Sequence, residues 1–178
     1  MRRQCFPLAR RGEGMSSKPR HEGGFSLVEL LIVVAIILII AAIAIPSLIR
    51  SRIAANQASA IESLRVIGTS EVTYAAIFGN GYSATIAALG SPPAGAVASA
   101  SAAGLIDDLL VSGIKSGYTF TYNPTLLDAT GRYNGYTILA NPISVGTSGV
   151  DFFYEDETHV IRMNATAQAG STDSFIAD

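Results

Sequence analysis

One carboxylate stands out because it lies at the start of a long apolar run. Every residue from Leu30 to Ile45 is apolar, and in the 21 residues from Phe25 to Ile45 only Ser26 and Glu29 are polar. A charged side chain in the middle of a membrane-spanning helix costs about 2.5–3.5 kcal/mol. Glu29 therefore requires a counter-charge or a function.

Cleavage of the chain would supply that counter-charge. No Lys or Arg lies within one helical turn of Glu29. A cut after Gly24 would give Phe25 a free α-amine about 6 Å from Glu29 along the helix axis, at a rise of ~1.5 Å per residue. In a low dielectric, an amine on the same chain or on a neighbouring chain would pair strongly with this carboxylate.

The apolar run has the length and composition of a membrane-spanning helix. As a helix, residues 25–45 cover about 32 Å, close to the ~30 Å thickness of the hydrocarbon layer. A helix that is apolar all round belongs in lipid or in the centre of a large assembly. A buried core helix is the alternative, although core helices rarely run this far without a polar position. Arg50 and Arg52 then anchor the outer interface.

This stretch resembles the N-terminal signature of type IV pilins and type II secretion pseudopilins. The family pattern is a basic leader ending in glycine, an aromatic residue after the cut, glutamate at the fifth mature position, and an apolar run that reaches a proline. The matching residues here are Gly24, Phe25, Ser26, Leu27, Val28, Glu29, Leu30, Leu31 and Pro46.

The resemblance implies a processing and assembly pathway. A membrane-embedded prepilin peptidase would cut between Gly24 and Phe25, and Phe25 would be N-methylated. Glu29 would neutralise the Phe25 amine of an adjacent subunit during fibre assembly on an inner-membrane platform, and Pro46 matches the helix-perturbing proline. The resemblance also implies a single-pass precursor in the bacterial inner membrane and, after assembly, an extracellular pilus or a periplasmic pseudopilus.

Residues 1–24 are interpreted as the leader. They contain six basic and two acidic side chains, and Met15 offers a second possible start. Without them, 154 residues remain with six basic and twelve acidic side chains, a formal net charge of −6. This acidic surplus argues against nucleic-acid binding by bulk charge. Cys5 is the only cysteine, so the mature chain would form no internal disulfide.

The rest of the chain predicts an α+β fold in which one long helix packs on a small four-stranded antiparallel sheet. Residues 46–78 form the amphipathic half of the helix, with a kink or local melting expected around residues 42–46. A connector (79–116) follows, like the family's αβ-loop, and then the sheet (117–163) and a loosely held tail (164–178). The expected strands are 118–122, 136–140, 150–154 and 158–163. The expected apolar stripe of the helix is Ile53, Ala60, Ile61, Leu64, Ile67, Val72 and Ala75.

Other residue clusters give little indication of chemistry. Asp151, Glu155, Asp156 and Glu157 form a weak Ca²⁺ candidate, because Ca²⁺ prefers clustered oxygen ligands, but a solvated acidic turn is the preferred interpretation. His159 has no Cys or His near it in the sequence. We therefore expect no enzymatic activity and no cofactor.

Three functions remain open at this stage. The first is a structural subunit of a type IV pilus, which forms homo-oligomeric helical filaments and contacts membrane lipid before assembly. The second is a type II secretion pseudopilin, which the missing disulfide favours. The third is a membrane-anchored binding or enzymatic domain, which would need no cleavage at Gly24.

Overall fold

The computed structural model describes residues 24–176. The interpretation of residues 1–23, including the alternative start at Met15, lies outside the described residues, as do the last two residues of the tail. The chain divides into two compact units, Met1–Ala41 and Ala42–Asp178. Each unit is described separately below.

The described part of the first unit is the beginning of a helix. Helix α1 spans Leu27–Phe78, and its first backbone hydrogen bond joins the Leu30 N–H to the Ser26 carbonyl over 3.1 Å. Leucine, isoleucine, valine and alanine dominate this stretch, and every side chain from Leu27 to Ile40 is exposed. By length and composition, α1 can cross a membrane.

In the second unit, α1 continues through Pro46 without a break in its helical conformation. Of the two expectations for residues 42–46, a kink or local melting, the local melting is therefore absent, and the kink stays a prediction. Proline removes one backbone donor and crowds the preceding turn, but the alanine and leucine residues around it favour the helical conformation.

The buried stripe of α1 differs in part from the expected one. Ala60, Leu64 and Ile67 are fully buried as expected, but Val72 is 48% exposed. Polar and small residues complete the stripe, because the helix lies closest to the rest of the unit where its side chains are short or hydrogen-bonded. The buried residues of α1 are Ala60, Ser63, Leu64, Ile67, Gly68, Ser70, Glu71 and Tyr74.

The connector contains short ordered elements. A 3₁₀ turn (Ile86–Leu89) precedes helix α2 (Asp108–Val111). The Asp107 side chain caps α2 by accepting a hydrogen bond of 2.7 Å from the Leu110 N–H, and it also pairs with Lys115 at 2.9 Å. Asp107 thus satisfies one of the free N–H groups at the start of the helix.

The sheet has six antiparallel strands rather than the expected four, in the order β1-β2-β3-β4-β5-β6. Its inner face and the buried stripe of α1 share one hydrophobic core. The α+β class and the long helix on an antiparallel sheet are therefore confirmed, whereas the strand count was wrong. The strands are Ile114–Lys115, Tyr118–Leu127, Tyr133–Pro142, Phe152–Asp156, Arg162–Asn164 and Ser174–Phe175.

The two additional strands contain only two residues each, too few for an alternating pattern to be visible. Strand β1 pairs with β2 across a two-residue turn, in which Ser116 and Gly117 both have positive φ, 49° and 76°. Positive φ at both central residues is the conformation that favours tight hairpins.

Strand β6 belongs to the tail that was expected to be loosely held. The tail is fixed by Asp173, whose carboxylate accepts hydrogen bonds from Asn164 at 3.1 Å and from the Gly170 N–H at 2.8 Å. Arg162 also donates to the Asp173 carbonyl over 3.0 Å. These contacts bring β6 beside β5, so residues 164–176 are part of the sheet unit.

Candidate functional site

The residues singled out at the start of the apolar run are all accessible. Gly24 is exposed, with no atom close to the position of a Cβ, and Phe25 is 74% exposed. Both precede the first helical residue, Leu27. An exposed, non-helical segment of this kind can enter the cleft of a protease, because no helical hydrogen bond has to break first.

Glu29 lies in the first turn of α1 and is exposed. It forms no ion pair with any residue between Gly24 and Ile176. The first turn of a helix carries unpaired N–H groups and a partial positive charge, which stabilise a carboxylate by about 0.3–1 kcal/mol at the surface. This is less than the cost of a lone charge inside a bilayer, so the helix start alone does not compensate Glu29.

The four carboxylates of the weak Ca²⁺ candidate take separate roles. Asp151 accepts a hydrogen bond from Gln57, Glu155 points into the core, and Asp156 accepts from the Thr158 N–H at 3.0 Å. Glu157 is half-buried. Within residues 24–176, no group of three or more His, Cys, Asp or Glu side chains could hold a metal ion.

The comparisons with known proteins agree with the geometry of the helix start. The prokaryotic N-terminal methylation motif matches residues 19–45, which include Gly24, Phe25 and Glu29. The chain carries the prepilin signature of type IV pilins and pseudopilins. Neither the search of curated proteins nor the search of solved structures finds a match.

The prepilin signature and the apolar helix α1 together fit a precursor in the inner membrane. The signature is consistent with processing by a prepilin peptidase and with filament assembly. It ends at residue 45, just before Pro46. The roles assigned to Phe25, Glu29 and Pro46 remain predictions.

The globular part of this chain contains a buried carboxylate that the sequence did not reveal. Glu71 of α1 is fully buried and accepts hydrogen bonds from the Ser83 N–H, at 2.8 Å, and from the Ser83 hydroxyl. Tyr122 donates to the Ser83 carbonyl over 2.8 Å. Burial raises the pKa of Glu71, and the hydrogen bonds from Ser83 oppose this increase. Ser83, which follows α1 in the chain, is thus linked to the helix through Glu71 and to β2 through Tyr122.

A second buried carboxylate, Glu155, lies on the inner face of β4. It is 2% exposed, and its Oε2 atom has no hydrogen-bond partner in the part of the chain that the structure describes. The Nδ1 atom of His159 lies 3.5 Å from Oε1 and 3.2 Å from the Tyr136 hydroxyl. Burial raises the pKa of Glu155 to about 8, the negative charge of Asp156 adds to the increase, and Arg65 opposes it.

The position of Glu155 corrects the expected acidic turn. Strand β4 continues through Asp156, and the alternation of side chains places Glu155 on the same face as Phe153. His159 then adopts a left-handed conformation, with φ of 59°, so the expected strand 158–163 begins only at Arg162. The turn therefore lies one to two residues later than its acidic composition suggested.

Gly68 of α1 provides the space for the Glu155 carboxyl group. A Cβ atom at Gly68 would overlap the Oε1 atom of Glu155 and would lie 3.0 Å from the Nδ1 atom of His159. The overlap at Gly68→Ala should cost about 1–3 kcal/mol, and replacing glycine in a helix should return about 1 kcal/mol, so we expect a net destabilisation of up to about 2 kcal/mol. Urea unfolding of the full chain in detergent micelles measures this difference.

The control for Gly68→Ala is the same substitution combined with Glu155→Ala. Removal of the carboxyl group leaves room for the added methyl group, so the cost of Gly68→Ala should disappear or reverse in that background. An equal cost in both backgrounds would show that the contact with Glu155 is not the cause.

Proposed function

We propose that this chain is the precursor of a structural subunit of a type IV pilus. The observation that carries the proposal is the prepilin signature at residues 19–45, joined to a helix whose apolar side chains are exposed from Leu27 to Ile40. Exposure of such an apolar surface to water is unfavourable. It therefore requires lipid around it before assembly and other subunits afterwards. Polymerisation through this surface is the proposed function.

In this proposal, Glu29 controls assembly. The peptidase cuts after Gly24, and the new amine of Phe25 is methylated. When the apolar segments leave the bilayer and pack into the fibre core, Glu29 pairs with the Phe25 amine of an adjacent subunit. Both charges are then compensated in a low-dielectric environment, where either one alone would be penalised.

We propose a structural rather than a catalytic role for the globular part. Glu71 is fully engaged with Ser83, and Glu155 lies buried behind Gly68, so neither carboxylate faces an open cleft. Their contacts hold α1 to the connector and to the sheet. This use of buried carboxylates supports a scaffold that presents a surface in a filament.

A type II secretion pseudopilin is the second candidate. The absence of any cysteine after Cys5 favours it, because many type IV pilins are expected to have a C-terminal disulfide. The small-residue connector favours the pilus subunit. The separate roles of Asp151, Glu155 and Asp156 favour it too, because a major pseudopilin would be expected to hold calcium in a C-terminal loop.

The first experiment is mass spectrometry of the native chain purified from membranes. We expect a mature N-terminus at Phe25 that carries one additional methyl group. A strain without prepilin peptidase is the control and should retain the leader. An uncut chain in the normal strain would contradict the proposal, because the amine that compensates Glu29 would not exist.

The second experiment separates the two candidates. Cells are sheared, and the released material is examined by electron microscopy with an antibody against this chain. Long labelled filaments at native expression levels support the pilus subunit. Correct processing without sheared filaments, accompanied by loss of protein secretion when the chain is deleted, would support the pseudopilin instead.

A further inference from the structure

The second unit has an apolar surface at the end where α1 enters it. On the helix, Ile45, Leu48 and Ile49 are exposed by 56%, 69% and 44%. In the loop between β3 and β4, residues 143–151, Ile143 and Val145 are exposed by 57% and 61%. We call these five side chains the entry patch.

The two parts of the entry patch are held at the same end of the unit. Asn56 of α1 donates a hydrogen bond of 2.8 Å to the Ser148 carbonyl in the loop. The Ile143 N–H donates to the Gly117 carbonyl over 2.9 Å, which ties the loop to the β1–β2 turn. The apolar loop side chains are therefore positioned by fixed backbone contacts.

The charges around the entry patch are positive. Arg50 and Arg52 follow the apolar residues of α1, and no acidic residue occurs between Leu30 and Ile61 or within residues 143–150. The nearest carboxylate in the loop, Asp151, accepts a hydrogen bond from Gln57, further along α1. An apolar surface bordered by arginine is complementary to the interface of an anionic bilayer.

We propose that, before assembly, the entry patch lies in the headgroup layer of the membrane and that the β3–β4 loop is a second membrane contact beside the helix. A bilayer that holds the apolar residues up to Ile49 ends near Arg50 and Arg52. Asn56, which holds the loop, lies only about 6–9 Å further along the helix axis, at ~1.5 Å per residue. The loop is thus placed at the depth where Ile143 and Val145 meet lipid.

This inference depends on insertion of α1 in a membrane, and it goes beyond the proposed role in the fibre. A single inserted helix permits the globular part to rotate about the helix axis. A second contact with the membrane prevents this rotation and gives the precursor a fixed orientation. Assembly would then have to release the loop from lipid as well as extract the helix.

Fluorescence of single tryptophans tests the inference, because the chain contains no natural tryptophan. The full chain is reconstituted at low density in vesicles of phosphatidylethanolamine and phosphatidylglycerol, with and without brominated acyl chains. Three variants carry one probe each. Val145→Trp lies in the entry patch, and Leu38→Trp lies in the apolar helix. Leu127→Trp lies at the end of β2 that is remote from the β1–β2 turn. Val145 and Leu127 are equally exposed, at 61%, so they form a matched pair.

We expect brominated lipid to quench the emission of Val145→Trp and Leu38→Trp and to leave Leu127→Trp unchanged. The emission of Val145→Trp should also shift to shorter wavelength. Replacing phosphatidylglycerol with phosphatidylcholine should weaken the quenching at Val145 and leave that at Leu38 intact, because only the entry patch combines its apolar contact with arginines.

Four results would overturn the inference. Quenching of Leu38→Trp alone would show insertion without loop contact, and equal quenching of Val145→Trp and Leu127→Trp would show no preferred orientation. A blue shift at Val145 without quenching, growing with protein density, would identify a second copy of this chain as the occupant. No quenching at Leu38 would refute membrane insertion itself.

Discussion

Replacement of Glu29 with alanine should abolish fibre formation while the precursor is still inserted and cleaved. Alanine makes the helix more apolar, so the cost of a charge in the bilayer disappears and insertion should not be impaired. The cut between Gly24 and Phe25 precedes the helix, so processing should continue. Electron microscopy of sheared fractions, together with mass spectrometry of the membrane pool, measures both outcomes.

The physical reason is the charge that remains. In the variant, the Phe25 amine would enter the fibre core without a carboxylate beside it. Removing one partner of a buried ion pair costs about 3–5 kcal/mol, and in a fibre this cost recurs at every subunit. The equilibrium should therefore shift from fibre to membrane-bound monomer.

Two further variants show whether charge is the cause. Glu29→Gln keeps the size and polarity of the side chain and should fail in the same way. Glu62→Ala removes an exposed carboxylate from the same helix and should assemble normally. Normal fibre yield from Glu29→Ala would refute the assembly role of Glu29. Failure of Glu62→Ala would show that loss of any carboxylate from the helix impairs assembly, so that the effect is not specific to Glu29.

The parts of the fold that sequence could predict are those encoded locally. The helix α1 follows from a continuous run of apolar helix formers and then from spacings of three and four around Leu64 and Ile67. The central strands follow from alternation, as in Tyr118 to Tyr122. Strands β1 and β6 have two residues each and are defined only by their pairing with neighbouring strands. No local sequence pattern therefore predicts them.

The two buried carboxylates show a different limit. Glu71 lies four residues after Ile67, and Glu155 lies two residues after Phe153, so both spacings indicated the inner face. A carboxylate is normally placed on the solvent side, because burial without partners is costly. Ser83 and Tyr122, which accompany Glu71, lie on other elements, and His159 reaches Glu155 only because the chain turns after β4, so this compensation becomes visible only in the folded chain.

The short connections in the sheet were misjudged for a related reason. A Ser-Gly pair at positions 116 and 117 is a turn signal that could have indicated the β1–β2 hairpin. The acidic run 155–157 suggested a turn by composition, but the alternation in β4 overrode it. Composition alone therefore missed one tight turn and misplaced another.

Glu155 should make the stability of the globular part fall as pH rises. Its pKa increases from 4.5 to about 8 on folding, so between these values the folded chain binds a proton that the unfolded chain has lost. The stabilising contribution is complete below pH 4.5 and is lost as pH passes through about 8. The expected decrease in the free energy of unfolding is up to about 1.4 kcal/mol for each pH unit in this window.

Glu155→Gln isolates this contribution. Glutamine is neutral at every pH and keeps the shape of the protonated carboxyl group, so the free energy of unfolding should vary less between pH 4.5 and 8 and should exceed that of the natural chain at pH 9. Some dependence should remain, because burial also raises the pKa of Glu71. Urea unfolding of the full chain in neutral detergent, followed by the near-ultraviolet circular dichroism of its tyrosines, measures both curves.

The charged groups around Glu155 determine which control is informative. His159, Asp156 and Arg65 all act on its carboxyl group, so none of them is suitable. Glu157 is half-buried and lies two residues further along the chain. Glu157→Gln removes an acid of the same type and should leave the slope unchanged. If Glu155→Gln and Glu157→Gln both keep the slope of the natural chain, Glu155 is charged in the folded state, and its unpaired Oε2 atom must then be hydrated.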